Sequence, residues 1–329
     1  MSSIPRSVVD LKPVDLKPVE RTTEAATAPV SLKRSSLLGD YLQLFKVRVT
    51  SLIVMTAWAG YYMGAARSGV ASLTWALLNA LVGIGVTCAG SAALNEVLER
   101  KIDALMRRTR NRPLPAGRMS LATGLTAGIL ATIAGPVYLA LTTNVLTGVL
   151  AFSTAATYLA FYTPLKRISP ISTFVGAFPG AMPPLLGWTA VRGKLEIEAV
   201  FLFLIVFFWQ FPHFQAIAWM YREDYEAAGI KMLPVVDKAG HSVIRQMLTY
   251  CSTLISVSLV PALLGMTGKV YLFGALVLGL AFLWFVFRLA RTKLPTTSPD
   301  SRMYARQLLQ ASVIYLPLLF ALMMLNVVH

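Results

Sequence analysis

Nine apolar runs, each long enough to cross a lipid bilayer as a helix, constrain this chain more than any other feature. They cover residues 49–66, 72–98, 120–141, 143–163, 170–191, 197–220, 243–266, 270–290 and 304–327 to within several residues at each edge. In lipid every backbone polar group must find its partner inside the spanning segment or in a closed barrel. No alternating barrel pattern occurs, so the expected fold class is an all-α polytopic membrane protein with nine transmembrane helices. The composition agrees: 56 % hydrophobic and 14 % charged, against roughly a quarter charged in an ordinary soluble domain. Glycine and proline interrupt several runs, most densely in GAFPGAMPPLLG from Gly176 to Gly187. Such breaks are tolerated where neighbouring helices or a cavity take up the freed groups.

The net charge of +15 raises nucleic acid as a partner, but no basic, aromatic segment stands apart from the apolar runs, and nucleic acid is set aside. The charge reads as topology. Twenty-six of the thirty lysines and arginines fall on the side of the amino terminus, and only Arg67, Arg192, Lys194 and Lys269 on the other. The amino terminus is therefore expected in the cytoplasm and the carboxyl terminus outside it. Cys88 and Cys251 lie within apolar runs with no second cysteine at metal-ligand spacing, which supports neither a disulfide framework nor zinc. Residues 1–40 are polar and hold a tandem VDLKP (Val9–Pro13, Val14–Pro18); they are expected to be a disordered cytoplasmic tail, with residues 41–329 as one transmembrane domain. Asp10, Asp15, Glu20 and Glu24 in that tail argue against a mitochondrial transit peptide and favour a bacterial inner membrane.

Chemistry concentrates in NEVLERKIDALMRRTRNRPLPAGR, Asn95 to Arg118, directly after the second run. Asn95, Glu99 and Asp103 are spaced by four, so on a continuing helix they line one face within reach of a shared ion. Oxygen ligands suit Mg²⁺, which commonly leaves coordination positions for substrate phosphates. Arg107, Arg108, Arg110, Arg112 and Arg118 follow, and acids that hold a metal beside arginines that hold phosphate oxygens describe a diphosphate site. A plain positive-inside loop would explain the arginines but not the acids at period four.

A second cluster ends the sixth run, from Tyr221 through Arg222, Glu223, Asp224, Tyr225 and Glu226 to Lys231 and Pro234. Glu223 and Asp224 are further oxygen ligands, and Arg222 and Lys231 neutralise phosphate, unless the cluster is a solvated loop with local ion pairs. The loop YTPLKR from Tyr162 offers Lys166 and Arg167 as phosphate ligands or as interface anchors.

These strings together, with RRTRNRPLPAG from Arg107 and WQFPHF from Trp209, resemble the UbiA superfamily of intramembrane prenyltransferases over residues 40–325, and within it the haem-prenylating branch. The resemblance implies nine helices bundled around a central cavity. It further implies prenyl diphosphate held through Mg²⁺, with Asn95, Glu99 and Asp103 matching the first acidic motif and Asp224 falling in the second. Quinone-type members usually carry aspartates where this chain has Tyr221 and Tyr225. The implied reaction moves a farnesyl group from farnesyl diphosphate to a vinyl group of haem b, with water incorporated, giving haem o and diphosphate. A haem a synthase or a terminal-oxidase assembly factor is the downstream partner it raises. Elementary chemistry supports such a site, since ionising an allylic diphosphate leaves a carbocation and a highly charged leaving group. A membrane cavity keeps water from the cation, and Phe207, Phe208, Trp209, Phe211 and Phe214 offer π faces to it or are packing bulk.

His213 is the histidine inside a predicted span, and ionisable groups at such depth are functional suspects. With Pro212 opening the local helix, it is expected to face the cavity as axial ligand to haem iron, as a base near the attacking water, or as a packing residue between helices. Two rival functions are a UbiA-type enzyme acting on an aromatic quinone precursor and a secondary transporter. A transporter predicts midplane charges and an inverted repeat, whereas the acids here collect at one face.

Overall fold

The computed structural model of the chain describes residues 36–328. Most of the expected disordered tail lies outside the described residues, but residues 37–40 at its end are helical. There α1 (Leu37–Leu44) begins at Ser36, whose Oγ accepts the Gly39 N–H at 3.1 Å. α2 (Val47–Ser68) follows at a bend of 48°, and Lys46 at the break has a φ of 46°, in the left-handed region that non-glycine residues seldom enter.

The other elements track the apolar runs. They are α3 (Trp75–Asp103), α4 (Leu121–Thr142), α5 (Val145–Thr157), which continues through a π-helical turn at Tyr158–Tyr162 into Thr163–Leu165, and α6 (Ser172–Arg192). Then come α7 (Ile197–Met220), the short α8 (Arg222–Ala227) and α9 (Leu233–Val236), and α10 (His241–Leu263), α11 (Lys269–Arg291) and α12 (Pro299–Leu325). Thr74, Ser120 and Asn144 cap the starts of α3, α4 and α5 with side-chain oxygens, and left-handed Gly69 and Gly193 close α2 and α6.

Nine long helices thus run in the expected order among the described residues. Seven are long and apolar enough to cross a membrane, and an eighth if bent α1–α2 counts as one span. α6 is the helix outside that count, because three prolines and three glycines dilute its hydropathy. It needs less lipid-facing surface than the others, since most of its residues from Ser172 to Thr189 are buried among its neighbours.

Each helix sorts its residues by what it faces. On α4, Leu130, Ile133, Val137 and Leu141 form an exposed apolar stripe, while Gly124, Gly128, Thr132, Gly135 and Leu139 turn inward. Large residues outward and small ones inward is the arrangement by which membrane helices approach closely. The tightest approach joins α2 and α6. A Cβ on Gly60 would lie 1.9 Å from the Pro184 carbonyl oxygen, and one on Gly187 would lie 1.9 Å from that of Ala57. Both obstacles are backbone, which cannot move aside as a side chain can. α7, α10, α11 and α12 share a dense core that includes Trp219, Met247, Tyr271, Phe282 and Phe320, and it continues onto α2 and α6 through Met63 and Trp188.

Gly187→Ala should therefore destabilise the protein by about 1–3 kcal/mol or more from overpacking, although alanine is the better helix former by about 1 kcal/mol. Thermal unfolding in detergent should show a lower midpoint, and an unchanged midpoint would mean that α2 and α6 are less close than described.

Candidate active site

The end of α3 carries acids into the interior of one end of the bundle, where each needs a partner. Asn95, Glu99 and Asp103 are 2 %, 8 % and 1 % exposed, and burying such groups unpaired would be costly. The partners come from other segments. Lys46 Nζ donates to Asn95 Oδ1 at 2.9 Å, and Asn95 Nδ2 donates to Thr163 Oγ1 at 3.3 Å. Lys166 Nζ lies 2.7 Å from Glu99 Oε1, and Arg112 Nη1 lies 2.7 Å from Asp103 Oδ2. Glu96 is fully buried beside them with neither carboxylate oxygen hydrogen-bonded. A reading at period four passes over Glu96.

The loop after α3 folds onto the second acidic cluster. Arg107 Nε reaches Asp224 Oδ1 at 3.2 Å, and the Arg108 backbone N–H donates to Asp224 Oδ2 at 3.3 Å. Arg108 donates through Nη2 to the Tyr225 hydroxyl at 3.0 Å, and its guanidinium lies 4.9 Å from the centre of the Tyr221 ring. Tyr221 and Tyr225 therefore together hold an arginine of the first loop.

Beneath this charged end lies a mainly apolar cavity of about 340 Å³, lined from α2, α3, α5, α6 and α7. Lys46, Tyr158 and Tyr162 line it near the charged groups, and Ile84, Ala151 and Leu186 are among the lining residues farthest along their helices from that end. The π-helical turn of α5 shapes its upper wall. With the Thr163 N–H bonded to the Tyr158 carbonyl, Tyr158 and Tyr162 both face the cavity, their ring centres 5.3 Å apart. The same turn brings Thr163 to Asn95 and Lys166 to Glu99, and Lys166 Nζ sits 4.6 Å from the centre of the Tyr162 ring. π turns inside α-helices are frequent at functional sites.

The structure thus gathers Asn95, Glu99, Asp103, Arg112 and Lys166 at the charged end, where Asn95 and Lys166 touch the cavity-lining Lys46 and Tyr162, and it joins Arg108 to Asp224. Other expected residues stand elsewhere. Glu99, Asp103 and Asp224 do not converge as one metal-ligand group: among the described residues no three His, Cys, Asp or Glu side chains do so. Each is instead held by its own base. Arg222 turns to Glu226 at 2.7 Å, and Arg167 and Lys231 are exposed.

His213 does not line the cavity, although Gln210 and Phe214 on the same helix do. Its Nδ1 is 2.7 Å from Ser312 Oγ on α12, and Trp209 stacks on its ring at 4.5 Å between centres. Helical phase is the reason: with 210 and 214 turned to the cavity, 209 and 213 must face α12. Of the three roles weighed for His213, this contact is that of the interhelical one. Nothing in the sequence marks Lys46 or Tyr158 as part of the site. Lys46 resembles one more basic residue at a membrane entry, and the tyrosine pair shows only as spacing.

An all-α bundle with one charged end, acids on the face of one helix and an apolar cavity below them is the architecture of an intramembrane prenyltransferase. The family model described as the UbiA prenyltransferase family matches residues 53–324, and the chain belongs to that family. A relative from Koribacter versatilis, named protoheme IX farnesyltransferase, is 54 % identical over 305 residues, covering 92 % of this chain and 98 % of its own. One of the same name from Solibacter usitatus is 47 % identical over 299 residues, covering 88 % and 99 %. The fold is similar to that of a solved digeranylgeranylglyceryl phosphate synthase, with a TM-score of 0.70 at 19 % identity over 88 % of this chain and 98 % of that one. A UbiA homologue from Archaeoglobus fulgidus bound to GPP and Mg²⁺ matches with a TM-score of 0.62 at 17 % identity, over 86 % and 99 %. At these identities the structural likeness concerns the fold alone.

Arg112 is held on Asp103 by one short contact of 2.7 Å. Arg112→Lys keeps the charge and loses the planar fork, and should weaken prenyl diphosphate binding by roughly tenfold. Calorimetric titration measures this, and unchanged affinity would assign Arg112 to topology alone.

Proposed function

We propose that this chain transfers the farnesyl group of farnesyl diphosphate to a vinyl group of haem b, producing haem o and diphosphate. The observation that carries the reading is the 54 % identity to a protoheme IX farnesyltransferase along nearly the whole of both chains. The site is consistent with it. In the proposed reaction the C1–O bond of the prenyl diphosphate breaks and C1 bonds to the terminal vinyl carbon. Water then adds to the neighbouring carbon, and its proton leaves to the diphosphate or to solvent.

Arg112, Lys166 and Lys46 are proposed to bind the leaving diphosphate, with Arg108 fixed beside them by Tyr221 and Tyr225. The apolar cavity takes the prenyl chain and keeps water from C1, and Tyr158 and Tyr162 present their rings to it. Mg²⁺ fits this donor set, because it binds through one or two carboxylates plus phosphate oxygens and needs no three-carboxylate cage. Glu99 and Asp103 would hold it. When bound, Mg²⁺ supplies positive charge to the departing diphosphate. A solved UbiA homologue bound to GPP and Mg²⁺ supports that assignment by analogy of fold.

The proposed setting is a bacterial inner membrane, with the charged end and the amino terminus on the cytoplasmic side. Hand-over of product to a haem a synthase or an oxidase assembly factor belongs to the same proposal. A haem-positioning role for His213 would be exercised from its contact with Ser312 on α12, outside the prenyl cavity.

The deciding experiment supplies purified protein in nanodiscs with farnesyl diphosphate, haem b and Mg²⁺, and analyses the pigment by mass. Haem o is expected. Farnesylation of an aromatic acid without haem o would favour the quinone-precursor reading. Glu99→Gln and Asp103→Asn should each remove most of the haem o while the protein melts as a folded membrane protein, and near-normal turnover in either would overturn the metal assignment. His213→Ala should weaken haem binding, read from the haem absorption spectrum, and leave farnesyl diphosphate binding intact. An unaltered spectrum and yield would leave His213 as a packing residue.

A further inference from the structure

A second, more open basin of about 460 Å³ adjoins the diphosphate side of the site, and Arg107, Arg108, Tyr221, Glu223, Asp224 and Arg302 contribute to its wall. Arg302 belongs to none of the motifs that mark the chain as a prenyltransferase. It lies in the first turns of α12, a helix that contributes nothing to the prenyl cavity. The basin therefore has a component with no role in holding the donor.

What the basin already contains indicates what it can hold. The Glu223 carboxylate is gripped from two sides, by Arg107 Nη2 at 3.2 Å through Oε2 and by Arg302 Nη2 through Oε1. Two guanidiniums from distant segments thus form a fitted cradle around one carboxylate, the group that arginine forks match best. Its occupant is exchangeable: the Glu223 side chain is 45 % exposed and sits on the six-residue α8. Three guanidiniums face two carboxylates here, so the basin keeps an excess of positive charge.

We infer that this basin docks the carboxylate-bearing edge of the acceptor, with Arg302 and Arg107 taking a propionate in place of Glu223. The inference rests on the haem reading above. Haem b carries two propionates on one edge and its vinyl groups away from them, so it suits a site whose charged rim adjoins a membrane cavity. Met220 and the Tyr221 ring supply the apolar side of the basin. Arg108 and Asp224 form its border with the donor site, which places the acceptor beside the diphosphate. Arg302 is then a specificity-determining residue for the acceptor, and Glu223 an internal competitor for the same cradle.

The test compares haem b with its dimethyl ester, whose propionates are neutral, by absorption titration of the full-length protein in nanodiscs. The wild-type protein is expected to bind the free acid roughly tenfold more tightly than the ester, the range for a charge-assisted contact. Arg302→Gln should abolish most of that preference, leave ester binding unchanged and keep farnesyl diphosphate affinity. Glu223→Gln should act in the opposite direction and tighten binding of the free acid. If Arg302→Gln retains the full preference, or if the wild-type protein binds acid and ester equally, the inference is overturned and the Glu223 contacts are a clasp between the first loop and α12. If neither form binds, the haem reading falls and takes the inference with it; binding without discrimination removes the inference alone.

Discussion

Placing carboxylates inside the end of a membrane bundle is the constraint from which the rest of this site follows. A buried charge must be paired, and the three polar residues at the end of α3 find their partners on three other segments. Lys46 comes from the break before α2, Lys166 from the turn after α5, and Arg112 from the loop after α3 itself. Asp224 repeats the rule with Arg107. The loops at this end are drawn together because the acids require it, and Lys46 carries one of those pairings to the wall of the cavity. A ligand bringing both a cation and phosphate oxygens can replace the pairs like for like, with metal for base on the acids and phosphate for acid on the bases.

The depth of the cavity depends on a different force, the close approach of small residues. α2 and α6 meet through Gly60 and Gly187, so the prolines and glycines that disqualify α6 as a strongly apolar span also make it the inner wall. The lipid-facing helices could not serve there, since their large outward residues sort them to the periphery.

Much of this was legible in the sequence, for reasons that are local. Hydropathy marks each helix because a spanning segment answers to lipid along its whole length, and the face shared by Asn95, Glu99 and Asp103 is a property of one helix. The meeting of the first loop with Asp224 was legible as two acid-and-base clusters on the same side of the membrane. What depends on the phase between helices was not. Nothing local says that position 213 turns to α12 while 210 and 214 turn to the cavity, or that Arg222 turns to Glu226. Nor does a lone lysine in FKVR reveal that the chain bends there and drives it inward, and Arg302 has no neighbour in sequence to mark it. The metal trio illustrates the limit: spacing places two acids on one face, but only packing decides whether a third, more than a hundred residues away, converges with them.

The π-helical turn at Tyr158–Tyr162 acts as a phase shifter for everything after it. A π turn takes up one residue more than an α turn, so the chain beyond it is rotated by about 100° relative to an uninterrupted α-helix. Thr163 and Lys166 lie beyond it, and that offset lets one helix face the cavity with its tyrosines and then hand Lys166 to Glu99. Removing a single residue from this turn would keep the span long and apolar, and would pass every test of hydropathy. It would also swing the ammonium group away from its carboxylate, so at this point the length of the chain, counted to one residue, is itself part of the site.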